Sequence, residues 1–391
     1  MAKIDELFRI MVEKGASDLH LSAGAPPLLR LHGDMVAIDG QPTYDNAQIQ
    51  ELVFEIVSEK QKRSFVENWE LDCSYHIPNL SRFRVNVFMQ RRGMAAVFRV
   101  IPTEILSAEK LGLPKCVTDL VTVDRGLILV TGPTGSGKST TLAAMIDSIN
   151  RHEQAHILTI EDPIEFVHEN QKSLISQREV GSHTKSFAKA LKAALREDPD
   201  IILVGEIRDK ETIDIAMKAA LTGHLVLSTL HTNDTAATIQ RILNMGVEPY
   251  LISSAVNLIV AQRLVRKICT ECKEPAMIDP HVLERFGLLA ESLKDSSVYK
   301  GKGCPACGGT GYSGRMPLYE VMPMTDKLKE AVLQGASTSE IRAISRREGM
   351  TTLREAGVYL VKNGITTLEE VLAKTNEDSE MEPEPQVEAQ Q

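Results

Sequence analysis

Apolar runs and amphipathic periods alternate along the middle of the chain. Four runs are each short enough for one buried strand: LILVTG, HILTIEDP, DIILVGE and HLVLSTLH. Segments with a helical period, such as SFAKALKAALRED and ETIDIAMKAAL, separate these runs. Continuous apolar strands joined by helices are typical of a parallel sheet that is covered on both faces. The pattern therefore predicts an α/β domain over residues 121–268.

The first hundred residues follow a different pattern. A short helical start precedes strand-like alternation in LLRLHGDMVAI (28–38) and RFRVNVFMQRRGMAAVFRVI (82–101), with turn signals between them. This pattern predicts a small α+β domain at 1–103.

Changes in composition suggest the remaining divisions of the chain. The tail is acidic, rich in Glu, Pro and Gln, and poor in residues that could pack, so we expect it to be disordered. The predicted parts are a linker at 104–120, a cysteine-bearing segment at 269–319, a helical region at 320–375 and the tail at 376–391.

Composition restricts the class of protein. A length of 391 residues favours two or more domains, and 43% hydrophobic with 25% charged residues is ordinary for a globular protein. The net charge of −9 gives no general attraction to nucleic acid or to an anionic membrane. The sequence has neither an apolar run of about 18 residues nor a secretory signal, so we expect a cytoplasmic protein.

The segment GPTGSGKST follows an apolar strand and precedes a helix, as a phosphate-binding loop requires. Its glycines let backbone N–H groups turn toward phosphate oxygens, Lys138 supplies a positive charge, and Ser139 can bind Mg²⁺. We therefore expect ATP and Mg²⁺ here. The residues assigned to the nucleotide are Gly132, Pro133, Thr134, Gly135, Ser136, Gly137, Lys138, Ser139 and Thr140.

Carboxylates follow the next two predicted strands. Glu206 is the candidate for organising Mg²⁺ or the attacking water, and Glu161 with Asp162 for polarising that water. The residues alone do not decide which carboxylate is the general base. Gly205 stands where many phosphate-loop enzymes carry an aspartate.

Two histidines lie at the ends of the strand LVLSTL. His231 follows the strand, so we expect it at the same sheet edge as the phosphate loop, where a neutral imidazole can sense the γ-phosphate. His224 precedes the strand and should lie toward the opposite edge unless the turn folds back. We assign it to nucleotide binding, with a structural hydrogen bond as the alternative.

Four cysteines form two CxxC pairs: Cys269, Cys272, Cys304 and Cys307. Two such pairs complete a tetrahedral shell, which predicts a structural zinc ion; reduced thiols in a loop without metal are the alternative. We expect Cys73 and Cys116 to be small core residues.

Four motifs in this order carry a family resemblance: GPTGSGKST, TIEDPIEF, ALREDPDIILVGEIRD and TGHLVLSTLHTND. They resemble the Walker A, Asp box, Walker B and His box of the type II/IV secretion ATPases, and the similarity covers residues 3–375. The resemblance implies a PAS-like N-terminal domain, a RecA-like ATPase domain and a homohexamer that acts on an inner-membrane platform protein at the inner face of the cytoplasmic membrane. It also implies that Arg84 and Arg99 contact nucleotide phosphates.

The resemblance divides between two branches. Residues 17–35 and 177–200 resemble the type IV pilus retraction ATPases, whereas 245–273, 314–324 and the second CxxC pair resemble the pilus assembly and type II secretion ATPases. The assembly branch usually carries an additional N-terminal domain that this sequence does not show. We therefore predict pilus retraction, with assembly or secretion as the alternative.

Two further functions are remote alternatives. A nucleic-acid motor would need a basic groove or an aromatic platform, and the chain is acidic with 4% aromatic residues. A regulator that binds nucleotide without hydrolysing it is disfavoured by the intact motifs.

Overall fold

A computed structural model describes residues 2–31, 34–101, 104–120, 123–294 and 296–375. The predicted tail at 376–391 lies outside the described residues. Contacts divide the chain into two compact units. The first unit extends to Ile105 and also includes Asp162–Val167, and the second holds Leu106–Glu161 and the chain from His168 onward.

The first unit contains three helices and one sheet. Their bounds are α1 Asp5–Glu13, β1 Asp18–Ser22, β2 Leu28–Leu31, β3 Asp34–Ala37, α2 Asn46–Phe54, α3 Glu59–Asn68, β4 Glu70–Ile77, β5 Ser81–Gln90 and β6 Gly93–Ile101. The strands are antiparallel in the order β3-β2-β1-β6-β5-β4, which confirms the predicted α+β pattern. Phe8 of α1 packs on Phe83 and Phe98 with ring centroids 4.3 and 5.1 Å away, so helix and sheet share one core.

The second unit alternates strands and helices through its first half. The bounds there are α4 Lys115–Leu120, β7 Gly126–Thr131, α5 Lys138–His152, β8 His156–Glu161, β9 Leu174–Glu179, α6 Phe187–Ala194, β10 Ile201–Val204, α7 Lys210–Leu221, β11 Leu225–Leu230, α8 Thr235–Asn244, α9 Pro249–Ala255 and β12 Val256–Ile268. The later elements are β13 Lys273–Ala276, α10 Pro280–Glu284, β14 Val298–Gly301, β15 Tyr312–Pro323, α11 Asp326–Leu333, α12 Thr338–Arg347, α13 Leu353–Lys362 and α14 Leu368–Lys374.

The main sheet has the strand order β15-β12-β7-β11-β10-β8-β9, and its pairs are parallel except for β15 against β12. The predicted parallel α/β sheet is thus confirmed. The apolar pattern did not single out β9, β12 and β15 as strands. Polar residues interrupt these strands, including Gln262 and Arg263 in β12, so none of them reads as one continuous apolar run.

Both faces of this sheet are covered, as the alternating side chains of β7 show. Ile128 and Val130 pack with Leu142 of α5 on one face, while Leu127 and Leu129 pack in the cluster that includes helices α6 to α8 on the other. The C-terminal region is helical from Asp326 onward, and Ser or Thr side chains cap all four of its helices. Among the described residues, no helix is sufficiently long and apolar to cross a membrane.

His168 is a buried histidine between β8 and β9. Its side chain is nearly enclosed, and its Nδ1 atom has no hydrogen-bond partner among the described residues. Desolvation by burial lowers the pKa of His168 from 6.5 to about 4, although Asp147 acts in the opposite direction. The folded chain therefore keeps this imidazole neutral at pH values where the unfolded chain protonates it.

We predict that stability falls between pH 6.5 and pH 4, because the unfolded state alone binds a proton on His168 in this window. The lost contribution is about 3 kcal/mol, and H168Q should flatten this part of the curve. H281Q, at a side chain that is 90% exposed, is the control and should leave the slope unchanged. Urea unfolding at a series of pH values measures the slope, and equal slopes for wild type and H168Q would contradict the prediction.

Candidate functional site

The phosphate loop connects β7 to α5 and is built on left-handed backbone. Gly135 and Gly137 have φ values of +77° and +89°, and Gly137 is the N-cap of the helix that begins at Lys138. Only glycine adopts such values without strain, so the loop directs its N–H groups inward at the start of α5. The predicted residues 132–140 thus form this loop and the first turn of α5.

Two polar side chains in this loop are suited to an anion. Lys138 donates through Nζ to the carbonyls of Gly132 and Pro133, at 2.9 and 3.1 Å. The Oγ atom of Ser136 is buried and lacks a hydrogen-bond partner among the described residues. A phosphate that entered the loop would offer acceptors to both groups, so the loop fits a nucleotide. Ser139 lies in the first turn of α5, where Mg²⁺ bound to such a phosphate would need a ligand.

The predicted carboxylates meet at the ends of neighbouring strands. Glu161 ends β8 and accepts hydrogen bonds from Thr159 at 2.7 Å and Gln177 at 3.3 Å. The Gly205 N–H donates to the Ile160 carbonyl, and a Cβ on Gly205 would lie 3.4 Å from the Glu161 Cα. A side chain at position 205 would therefore pack closely against the end of β8.

Glu206 is flanked by two cationic or titratable side chains. Arg208 forms an ion pair with its Oε1 atom, and His231 Nε2 lies 3.6 Å from its Oε2 atom. Desolvation lowers the pKa of His231, Lys138 lowers it further, and Glu206 acts in the opposite direction. His231 is therefore neutral above pH 6.5, as a hydrogen-bonding sensor requires. Sequence reasoning missed Arg208, although its place two residues after a strand-end glutamate was a signal.

The loop that follows His231 is fixed to the start of the phosphate loop. Thr131 donates to the Leu230 carbonyl at 3.1 Å, and the N–H of Thr232 donates back to Thr131 Oγ1 at 3.0 Å. The strand that carries His231 and the strand that carries the phosphate loop thus end side by side.

His224 lies at the other end of β11. Its Nδ1 atom donates to the Ala219 carbonyl at 3.0 Å, and the adjoining Leu225 pairs with Gly126 at the beginning of β7. The structure does not bring His224 to the phosphate loop, and this placement favours the structural hydrogen bond. The turn between α7 and β11 therefore does not fold back toward the edge that carries the phosphate loop.

The two predicted arginines are neighbours within the first unit. Arg84 of β5 pairs directly with Arg99 of β6, so two like charges face each other across the strands. Each has its own aspartate: Arg84 donates to Asp72 at 3.2 and 2.5 Å, and Arg99 donates to Asp18 at 2.8 Å. The hydrogen bonding of Arg84 to the Asp72 carboxylate is the main cause that raises the pKa of Arg84.

Asp162 belongs to the first unit although Glu161 belongs to the second. Together with Glu165 it contributes a further electrostatic increase to the pKa of Arg84. The predicted pair of Glu161 and Asp162 is therefore divided between the two compact units, which the sequence alone did not indicate.

The four CxxC cysteines form one cluster that could hold a metal ion. Their sulfurs all lie within 4.8 Å of one another, with Cys304 3.9 Å from Cys269 and 3.7 Å from Cys307. A tetrahedral site with zinc–sulfur bonds of about 2.3 Å has sulfurs roughly 3.8 Å apart, so the cluster fits this ion. The N–H groups of Cys304 and Gly311 donate to Cys307 at 3.2 Å each, and the former is the main cause that lowers the Cys307 pKa to about 6.

The two cysteines outside this cluster differ in their exposure to solvent. Cys73 is buried, as predicted, but Cys116 is exposed, so the expectation of a core position was wrong there. The short helix α4 leaves the Cys116 side chain on its outer side, and a six-residue element has too few positions for its pattern to show this.

Comparisons with known proteins agree with the motifs. The model of the type II/IV secretion system protein family matches residues 68–373. The chain is 50% identical over 271 residues to the type IV pilus retraction ATPase PilT of Pseudomonas aeruginosa, which covers 68% of this chain and 78% of that protein. It is 46% identical over 292 residues to the type IV pilus assembly ATPase PilB of Thermus thermophilus, covering 73% of this chain but only 32% of that protein.

A solved structure is similar over nearly the full length. The crystal structure of the pilus retraction motor PilT with bound ADP superposes with a TM-score of 0.79 at 38% identity. The superposition covers 96% of this chain and 97% of that one.

Proposed function

Because the chain belongs to the type II/IV secretion system protein family, we propose that it is a ring-forming motor that hydrolyses ATP to retract type IV pili. The observation that carries this proposal is the similarity to the retraction motor PilT, which extends over 96% of this chain and includes a bound adenine nucleotide in that structure. The phosphate loop, the strand-end carboxylates and His231 supply the corresponding chemistry here.

In this mechanism the loop at 132–140 binds the ATP phosphates, and Lys138 exchanges its two loop carbonyls for phosphate oxygens. Mg²⁺ held by Ser139 would neutralise charge on those oxygens. Phosphoryl transfer depends mainly on positioning and charge neutralisation, so the carboxylates act on the attacking water. Glu206 and Glu161 are the two candidates for the general base in this step.

His231 connects hydrolysis to a change in structure. Its neutral imidazole lies beside Glu206, and it would donate a hydrogen bond to a γ-phosphate oxygen only while that group is present. Loss of the phosphate then releases the loop that follows His231.

Arg84 and Arg99 complete the site in this proposal. Paired arginines present forked donors that suit phosphate oxygens, and Asp18 and Asp72 hold them in place when no phosphate is bound. Binding of nucleotide phosphates would compete with these ion pairs, and the first unit would move as the arginines change partners.

The remaining parts of the proposal follow from the family. We propose a homohexamer in the cytoplasm at the inner face of the inner membrane, where it acts on a platform protein of the pilus machine. The acidic composition gives no support to nucleic acid as the substrate of this motor.

Pilus assembly or type II secretion is the second candidate function. The observation in its favour is the 46% identity to PilB of Thermus thermophilus. The tetracysteine cluster adds to it, because the second CxxC pair resembles that branch. For this cluster we propose a structural zinc ion that joins the end of β12 to the start of β15.

We predict that the purified protein hydrolyses ATP and that K138A and E206Q each lower kcat/KM about 100-fold or more, because phosphate binding and water activation are lost. R84A and R99A should lower kcat in the same assay. K192A, E211Q and R91A change exposed residues away from the site and serve as controls. Steady phosphate release by K138A and E206Q at the wild-type rate would contradict the mechanism, and stimulation by DNA would favour a nucleic-acid motor.

The direction of work is tested in the cell. If the motor retracts pili, deletion of its gene leaves excess surface pili and abolishes twitching, and E206Q fails to restore movement. Bald cells would instead support assembly and would overturn retraction. Pilus counts by electron microscopy, with the E211Q variant as the control, distinguish the two outcomes.

For the cysteine cluster we predict one zinc ion per chain and a marked loss of stability when a ligand is removed. C304S and C307S should lower the Tm by about 5 °C or more, since a structural metal contributes folding free energy directly. C116S changes an exposed cysteine outside the cluster and should leave the Tm and the metal content unchanged. Metal analysis of the purified protein that finds no zinc would contradict the assignment.

A further inference from the structure

Strand β12 carries two neighbouring polar residues beside the nucleotide site, and the mechanism above uses neither of them. Gln262 is 2% exposed and Arg263 is 8% exposed, so both polar side chains are buried. Adjacent residues of a strand point to opposite faces of the sheet. The two side chains therefore reach different elements, with the phosphate loop on one face and the loop after His231 on the other.

Gln262 lies against the start of α5 and close to two glycines of the phosphate loop. Its Oε1 atom accepts a hydrogen bond of 2.8 Å from Thr141, which is fully buried in the first turn of α5. A Cβ on Gly137 would lie 2.9 Å from the side-chain Nε2 atom of Gln262. A Cβ on Gly132 would lie 2.5 Å from the backbone carbonyl oxygen of Gln262. The loop thus passes close to Gln262 at both glycines, and a side chain at either position would collide with it.

Arg263 contacts the other loop. Its Nη2 atom donates to the carbonyl oxygen and to the Oδ1 atom of Asn233, at 3.0 Å each, and Asn233 lies two residues after His231. Burial lowers the pKa of Arg263, while the nearby carboxylates of Asp234 and Glu320 act in the opposite direction. A buried guanidinium that binds a loop at two points restricts that loop more than a single contact would.

We propose that Gln262 and Arg263 are positioning residues for two separate parts of the reaction. Gln262 sets the phosphate loop and the start of α5 for nucleotide binding, and Arg263 sets the loop of His231 for the hydrolytic step. This inference rests on the proposed ATP hydrolysis at the same site. Strand β12 would then support both the phosphate loop and the loop of His231.

The two residues should then have different kinetic signatures. Loss of the Gln262 contact weakens the hold on the phosphates but leaves Glu206 and His231 in place, so affinity changes and turnover does not. Loss of the Arg263 contact frees the loop of His231 but leaves the phosphate loop in place, so turnover changes and affinity does not.

The test measures binding of a fluorescent ATP analogue and kcat at saturating ATP. For Q262L we expect the Kd to rise about 10-fold, as the loss of a buried hydrogen bond implies, with kcat within about twofold of wild type. For R263Q we expect kcat to fall about 10-fold or more with the Kd within about twofold. T141V removes the partner of Gln262 and should reproduce the Q262L result without adding to it in the double variant.

Two further variants keep the test informative if R263Q is poorly folded. N233A removes one acceptor of Arg263 at an exposed position and should lower kcat in the same direction, by a smaller factor. R266Q, on the same strand, breaks the ion pair of Arg266 with the buried Glu370 at 2.7 Å, away from both loops. It should lower the Tm while leaving the Kd and kcat unchanged.

The inference is overturned if Q262L and R263Q change the same parameter, or if both only lower the Tm as R266Q does. Failure of the proposed function looks different. In that case the wild-type protein binds the ATP analogue without hydrolysing ATP, or binds no analogue at all.

Discussion

The contact between the phosphate loop and strand β12 is the constraint on which the site depends. Gly132 and Gly137 have no side chains at the two places where the loop passes closest to Gln262. The hydrogen bond from Thr141 fixes the start of α5 against the same residue. A loop that lacked this support could still turn its N–H groups inward, but it would have to order itself when phosphate binds. Preorganised donors avoid that cost.

The parallel sheet brings the remaining chemistry to this loop. Strands β7, β8, β10 and β11 run in the same direction, so their C-terminal ends place the loop, Glu161, Glu206 and His231 at one edge. At this edge, one carboxylate oxygen of Glu206 forms an ion pair with Arg208, and His231 lies near the other oxygen. A neutral histidine in this place can donate a hydrogen bond to an anion without adding positive charge to the site.

The first unit holds two arginines side by side, each with its own aspartate. Arg84 and Arg99 would repel each other if they were unpaired, and the aspartates of β1 and β4 remove that repulsion. The segment Asp162–Val167 is covalently continuous with Glu161 yet packs within the first unit, where its carboxylates act on Arg84. One short stretch of chain thus leaves the end of β8 in the second unit and adds carboxylates near Arg84 in the first.

The sequence by itself determined the features that depend on local chemistry. The phosphate loop, the strand-end carboxylates, the cysteine pairs and the parallel α/β sheet all follow from residue type and spacing over short stretches, because glycine geometry, metal ligation and apolar periodicity act locally. Tertiary structure alone decided that Gln262 and Arg263 of β12 contact the start of α5 and the loop after His231. It also decided that Arg208 pairs with Glu206, that Asp162 belongs to the first unit and that His224 lies at the end of β11 opposite to His231. These features arise from contacts between residues far apart in the chain or from the direction of a turn, and no local pattern encodes which of the available partners a side chain meets.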